Sequence, residues 1–231
     1  MSDSSIHTGR GRSTDPAAAE TPRLRADARR NRDQILAAAR EVFADQGPGA
    51  PLEEVALRAG VGIATLYRRF ADRQALLRAV TLDVLARSAR EARLALAEEP
   101  DAFQALARYM HRALDLRIGV VMPELVKLIP LEEVEIFSAR EASSQPIQAM
   151  IAGAQAEGTL RADVAFGDIG LLIIRLGRPL PAPFTRDLDT RIAHRHLDLL
   201  LDGLRAAPSA ARLPAPAMTL ADLQAMSFDD L

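Results

Sequence analysis

The 231-residue sequence contains no cysteine, which removes disulfides and thiolate sites from consideration. Aromatic residues make up only 4% of the chain, whereas alanine, leucine and arginine abound. With little β-branched alternation, that balance favours helix throughout. No apolar run approaches the roughly 18 residues of a membrane span, and no apolar core of the signal-peptide kind opens the chain, so a cytoplasmic location is expected. An overall excess of one charge is missing too: at −2 the protein as a whole is no polycation. No Gly-rich phosphate loop follows a strand pattern. The four histidines do not converge on a site. His7 lies in the N-terminal tail, and His194 and His196, two apart, sit about 200° around a helix and cannot share a metal. His111 beside Met110 reads as a satisfied core or interface histidine, and Glu132, Glu133 and Glu135 as a solvated run. No catalytic constellation emerges, so no enzyme, cofactor or metal is expected.

What the sequence does contain is a specific pattern from Leu52 to Phe70, LEEVALRAGVGIATLYRRF. Leu52, Val55, Ala56 and Ala59 fall at i, i+3, i+4 and i+7 on one helix face. Gly60 follows where that helix must stop, because glycine takes the left-handed turn conformation with least strain. Val61 and Leu66 supply the inward contacts of a second helix over about Ile63–Phe70, and the small Ala56 allows the two helices to approach. This spacing predicts a helix-turn-helix. Thr65, Tyr67, Arg68 and Arg69 are left on exposed or flanking positions, where a hydroxyl, a phenol and two guanidiniums suit phosphate oxygens and base edges. The distribution of charge agrees. Residues 21–80 carry 11 Arg against 7 acidic residues, and the remainder from Thr81 carries 16 basic against 21 acidic. An electropositive head on an acidic body holds nucleic acid at one end only.

At these same residues, VALRAGVGIATLYRRFADRQALL resembles the operator-binding segment of the TetR family of one-component transcriptional regulators. The likeness is close over about Ile35–Val80 and diffuse beyond. It implies an all-helical homodimer with a recognition helix in the major groove, on a palindromic double-stranded operator, and a variable C-terminal domain that binds a small-molecule effector. Carried onto this sequence it implies DNA contacts from Gly62, Ala64, Thr65, Tyr67, Arg68, Arg69 and Arg73. Arg23 and Arg25 stand just before the first helix, where an arm can reach the DNA backbone or an adjacent minor groove. Two positions depart from the family pattern: Ala50-Pro51 stands where many relatives have a hydroxyl cap, and Gly62 where many have serine.

The rest of the chain orders itself around that motif. Residues 1–22 lack periodicity and are expected to be a disordered tail, and 23–75 to form the three-helix DNA-binding domain. Residues 76–206 are expected to form a helical effector-binding and dimerisation domain, and 207–231 a flexible Pro/Ala-rich tail. The first helix should run from Asp27 to Gln46, with Arg29, Arg30 and Arg32 crowding its first turns. Positive charge there is mildly unfavourable and suggests an external anion. Asp72 is a candidate N-cap for a long helix from Arg73 to Glu98, whose unbroken stripe (Leu76, Leu77, Val80, Val84, Leu85) should serve both domains. Further helices are expected over Ala102–Ile118, between Pro123 and Pro130, from Pro146 to Glu157, over Gly167–Leu176 and over Leu188–Arg205, with Gly158 as a stop. The last two are apolar enough to pair with their copies in a second subunit. Phe103, Met110, His111, Met122, Phe137 and Met150 are soft groups suited to lining an effector pocket, though equally suited to filling a core. Arg117, Lys127 and Arg140 either meet an acidic ligand or face water. The sequence therefore predicts an all-α, ligand-responsive, DNA-binding repressor with no membrane contact. An activator is the alternative within the family. A helical small-molecule-binding or scaffold protein with a vestigial helix-turn-helix is the alternative outside it.

Overall fold

The computed structural model describes residues 16–130, 132–181, 183–207 and 212–225, and among these the chain folds into ten helices. They are α1 Pro16–Gln46, α2 Leu52–Arg58, α3 Ile63–Arg69, α4 Arg73–Glu98, α5 Ala102–Asp115, α6 Ile118–Val126, α7 Val134–Ala156, α8 Phe166–Gly177, α9 Arg186–Leu204 and α10 Leu220–Ala225. Among the described residues the one extended pairing is an isolated bridge between Leu160 and Arg205, and no helix is long and apolar enough to cross a membrane.

Local chemistry accounts for most boundaries. Gly60 stops α2 with φ +68°: its N–H donates to Leu57 O and the Val61 N–H to Ala56 O, the paired bonds of a Schellman motif. Gly158 ends α7 the same way, with φ +69° and bonds to Gln155 O and Ala154 O. Asp72 caps α4 by accepting from Ala75 N at 2.8 Å, and Asp101 caps α5 by accepting from Gln104 N at 2.8 Å.

Two buried clusters divide the molecule. The first joins α1, α2, Leu66 of α3 and the first half of α4 with Val121 and Leu125 of α6. The second joins the end of α4 to α5, α7, α8 and α9, so α4 serves both, as its unbroken stripe predicts. The hinge between α5 and α6 is Arg117, in the left-handed region at φ 55°. At the α6–α8 crossing the helices touch backbone to backbone, and a Cβ on Gly119 would fall inside the Ile173 carbonyl.

Several expectations need correcting. The first helix begins at Pro16, not Asp27, so residues 16–22 continue α1 instead of belonging to a tail. Proline suits a first helical position and the following alanines propagate the helix. Arg29, Arg30 and Arg32 therefore lie well inside α1, and the argument from an unfavourable helix dipole lapses. Arg30 pairs with Asp27, and Arg32 lies 5.9 Å from the centre of the Phe70 ring. Residues 1–15 lie outside the described residues, as do 226–231.

Pro146 does not open a helix; α7 has run since Val134 and passes through it, with the ring buried in the core. Pro123 is likewise inside α6. The long fifth helix stops at Asp115 because the chain turns at Arg117. Part of the C-terminal tail is structured as well. Residues 212–219 and α10 lie along the loop before α8 and along α8 itself, held by Leu213 N to Asp163 Oδ2 (2.8 Å), Gly167 N to Met218 O (2.8 Å) and Met218 N to Asp168 Oδ1 (3.2 Å). Glycine makes that docking possible, since a Cβ at position 167 would lie 2.6 Å from Met218 O. Asp163 binds the Arg161 guanidinium at 2.9 Å on both oxygens. That guanidinium, then the Leu213 N–H, hold its carboxyl down to about 2.

Candidate functional site

The α2–turn–α3 unit presents a polar face built on a small apolar anchor. Leu66 is fully buried against the first cluster, and the Phe70 side chain follows it inward. With those two fixed, helical spacing turns Ala64, Tyr67, Arg68 and Arg69 to solvent, beside the exposed N-cap Gly62. Tyr67 is 47% exposed. The Arg68 guanidinium donates to Thr65 Oγ1 at 2.8 Å, which orients both groups on one face. The face holds two guanidiniums, a phenol and a hydroxyl, and among the described residues neither Arg68 nor Arg69 is tied to a carboxylate. It is equipped to donate to phosphate oxygens and acceptor base edges.

Arg73 is placed differently from its exposed neighbours. It is half-buried, and its Nη1 donates to Pro48 O and Ala50 O at 2.8 Å each, fixing the turn that enters α2. Positioning of that turn is the role its geometry displays. Arg23 and Arg25 fall within α1, and nothing is described of their side chains.

An apolar cavity of about 180 Å³ lies below the head, walled by α4, α5, α6, α7, α8 and α10. Helix α7 contributes Arg140, Ser143, Ser144 and Ile147, which stand at i, i+3, i+4 and i+7 on one face. Ser88 of α4 and Tyr109 of α5 stand beside them. Their hydroxyls form a ladder, with Ser143 Oγ donating to Ser88 Oγ at 3.0 Å and Ser88 Oγ 2.9 Å from Tyr109 Oη. Burial pushes the Tyr109 phenol up to about 12, against a smaller opposing effect of Ser88, so it stays a neutral hydroxyl. Leu220 and Leu223 of the C-terminal segment close one side.

Of the six pocket candidates, Met122 alone lines this cavity. Phe103, Met110 and Met150 are fully buried in the second cluster, with the Arg205 guanidinium 4.3 Å over the Phe103 ring. Phe137 is 52% exposed at the start of α7. His111 is committed elsewhere. Its ring lies parallel to that of His194 with Nδ1 atoms 2.7 Å apart, while Nε2 of each meets a carboxylate, Asp198 at 3.1 Å and Asp115 at 3.0 Å. Apolar periodicity marks core and cavity walls alike, so it does not separate them. The polar face Arg140–Ser143–Ser144 was the available signal, three hydrophilic groups at helical spacing on the inward side of a helix whose other side is exposed. Of the three cations considered for an acidic ligand, Arg117 bonds Asp45 at 2.6 Å and Lys127 lies 3.6 Å from Glu124. Arg140 remains in the cavity wall.

A further contact joins the head to the body. Asp45, near the end of α1, receives Arg117 at 2.6 Å and Arg186 of α9 at 2.5 Å, and Arg117 also donates to Ala44 O. Burial pushes the Asp45 carboxyl up, but the bonds from Arg186 and Arg117 outweigh it and hold the group below its usual value.

The family model described as bacterial regulatory proteins, tetR family, matches residues 35–80. The model described as the C-terminal domain of SbtR-like transcriptional regulators matches residues 101–206. A comparison with curated protein sequences found no match. Among solved structures, a TetR transcriptional regulator from Streptomyces coelicolor is similar at 33% identity, covering 78% of this chain and 99% of its own, with a TM-score of 0.56. A TetR transcription regulatory protein from Mycobacterium vanbaalenii is similar at 35% identity, covering 79% and 99%, with a TM-score of 0.54. The TetR-like regulator LfrR from Mycobacterium smegmatis, solved in complex with proflavine, is similar at 25% identity, covering 74% and 95%, with a TM-score of 0.55.

Proposed function

The chain belongs to the TetR family of bacterial regulatory proteins and is a DNA-binding, ligand-responsive transcriptional regulator, and from that premise we propose that it is a cytoplasmic homodimeric repressor. In this reading it releases a palindromic operator when a small molecule fills the cavity below its head. The observation that carries the reading is one chain holding both parts. It has a surface face of Thr65, Tyr67, Arg68 and Arg69, with no carboxylate on either arginine among the described residues, and an apolar cavity walled by the same long α4 that supports the head. LfrR, solved with proflavine, supports a small-molecule effector by analogy.

A single helix-turn-helix reads one half-site, so two-fold operators require two-fold proteins. The surface offered for pairing is on α9 and the loop before it, where Leu199 is 60% and Phe184 44% exposed. The signal would travel through α6. That helix lines the cavity with Ile118, Met122 and Val126 and lodges Val121 and Leu125 in the head's cluster, and Arg117 just before it binds Asp45 of α1. A ligand that fits the cavity better in one position of α6 would favour the corresponding placement of the head, to the extent of its differential affinity.

Selection of bound sequences from a random duplex pool at moderate salt tests the reading. The expected result is a palindromic motif with binding that weakens steeply as salt rises. Replacing Arg68 and Arg69 together by alanine should abolish operator binding while leaving the dimer intact. Unchanged binding would refute the assigned face. Recovery of no motif would leave the family's fold and remove the repressor reading in favour of a helical small-molecule-binding protein.

A further inference from the structure

We propose that the cavity takes a small apolar monocarboxylate, its acid group held by Arg140 and by the hydroxyl ladder of Ser88, Tyr109 and Ser143. This rests on the reading of the cavity as the effector site and names the chemistry that site selects.

Of the described residues lining the cavity, Arg140 alone carries a charge. Its half-buried counterparts are all engaged: Arg40 and Arg87 with Asp83, Arg78 with Glu133 and Glu135, Arg108 with Glu98 and Glu99, and Arg117 with Asp45. Arg73 meets two carbonyls and Arg161 meets Asp163. Arg140 is the one partly buried arginine among the described residues with no such acceptor. Burial lowers its pKa, with only the attraction of Glu141 opposing. Holding a cation against apolar walls without a partner is unfavourable, and a bound anion offsets that cost.

Three hydroxyls carry three hydrogens, and two bonds join them. Whichever way the shared Ser88–Tyr109 proton points, one O–H is left without an acceptor among the described residues. That O–H and the Arg140 guanidinium both call for acceptors, so a ligand suited to the polar side presents oxygens to them. A neutral amide or alcohol could accept from Arg140 but would leave its charge unbalanced, and an amine would add charge beside it.

An engineered cavity of about 150 Å³ admits benzene, so about 180 Å³ holds roughly one ring or a short alkyl chain with its head group. One guanidinium balances one negative charge, which favours a carboxylate over a doubly charged phosphate.

The test uses the intact protein and calorimetric titration with benzoate and hexanoate, each against its neutral amide and against benzylamine or hexylamine. The acids should bind at least tenfold more tightly than the amides, and the amines not at all. Arg140→Met should weaken acid binding at least tenfold while leaving the weak amide affinity unchanged, which shows that the cavity survives the substitution. Arg140→Lys should restore part of the acid affinity. Equal binding of acids and amides, acid binding indifferent to Arg140→Met, or no binding of either acid would overturn the proposal. Operator release measured alongside separates it from the reading on which it rests. Neutral or cationic probes that bind and release operator would sink the acid-specific site and keep the regulator. Acids that bind through Arg140 yet leave operator affinity unchanged would keep the site and sink the effector role.

Discussion

At the scale of single residues, the absence of a side chain does as much as its presence. Gly119 has no room for a Cβ because the Ile173 carbonyl occupies that space, so the α6–α8 crossing depends on one hydrogen in place of a methyl. Gly119→Ala should therefore destabilise the fold by about 1–3 kcal/mol, the usual cost of overpacking a fitted contact. Urea unfolding should give a lower midpoint at an unchanged slope. The contrast with Gly62 is instructive. Nothing lies within 4 Å of a Cβ there, so alanine at that position should leave stability unchanged and act, if at all, on DNA.

At the scale of elements, two contacts between helices matter most. The Asp45–Arg117 pair couples the end of α1 to the start of α6. A double-mutant cycle of Asp45→Asn and Arg117→Met, read by urea unfolding, should give a coupling of about 0.5–3 kcal/mol, and simple additivity would remove the pair as a link. The sign with pH follows from the depressed Asp45 pKa. The pair's contribution is fully present above the ordinary carboxylate range and is lost only as acid titrates the folded-state carboxyl. The second contact is the C-terminal segment on α8. Gly167→Ala places a methyl against the Met218 backbone, which should lift residues 213–223 and remove the Leu220 and Leu223 wall. Hydrogen exchange should show lost protection at Leu213 and Met218, and a hydrophobic dye should bind the opened cavity. Unchanged protection would mean the segment is held by something other than this close approach.

For the whole molecule the decisive question is assembly. Leu199, 60% exposed on α9, lies on the face proposed for contact with a second copy. Leu199→Glu should convert the proposed dimer to monomer in sedimentation and reduce operator affinity sharply, because each monomer then reads a half-site alone. A dimer that persists would move the interface away from this face of α9.

The sequence alone determined the helix-turn-helix, its inward anchors and its outward arginines. Gly60 is required by a left-handed turn, and the i, i+3, i+4, i+7 spacing has only one helical solution, so neither depends on distant residues. The same local logic placed the Asp72 cap and the stop at Gly158. Proline was a poorer guide. Pro146 and Pro123 lie inside helices because packing on neighbouring helices outweighs one lost bond, a balance no local rule contains. Only the tertiary structure decided which apolar residues wall a cavity and which fill a core. Met122 and Met110 are alike in sequence, and the difference between them lies in what the other helices leave empty. It also decided that Arg117 finds a carboxylate 72 residues away, whereas Arg140 in the cavity wall finds none among the described residues. Partnership of charges is a property of how helices meet, and composition does not carry it.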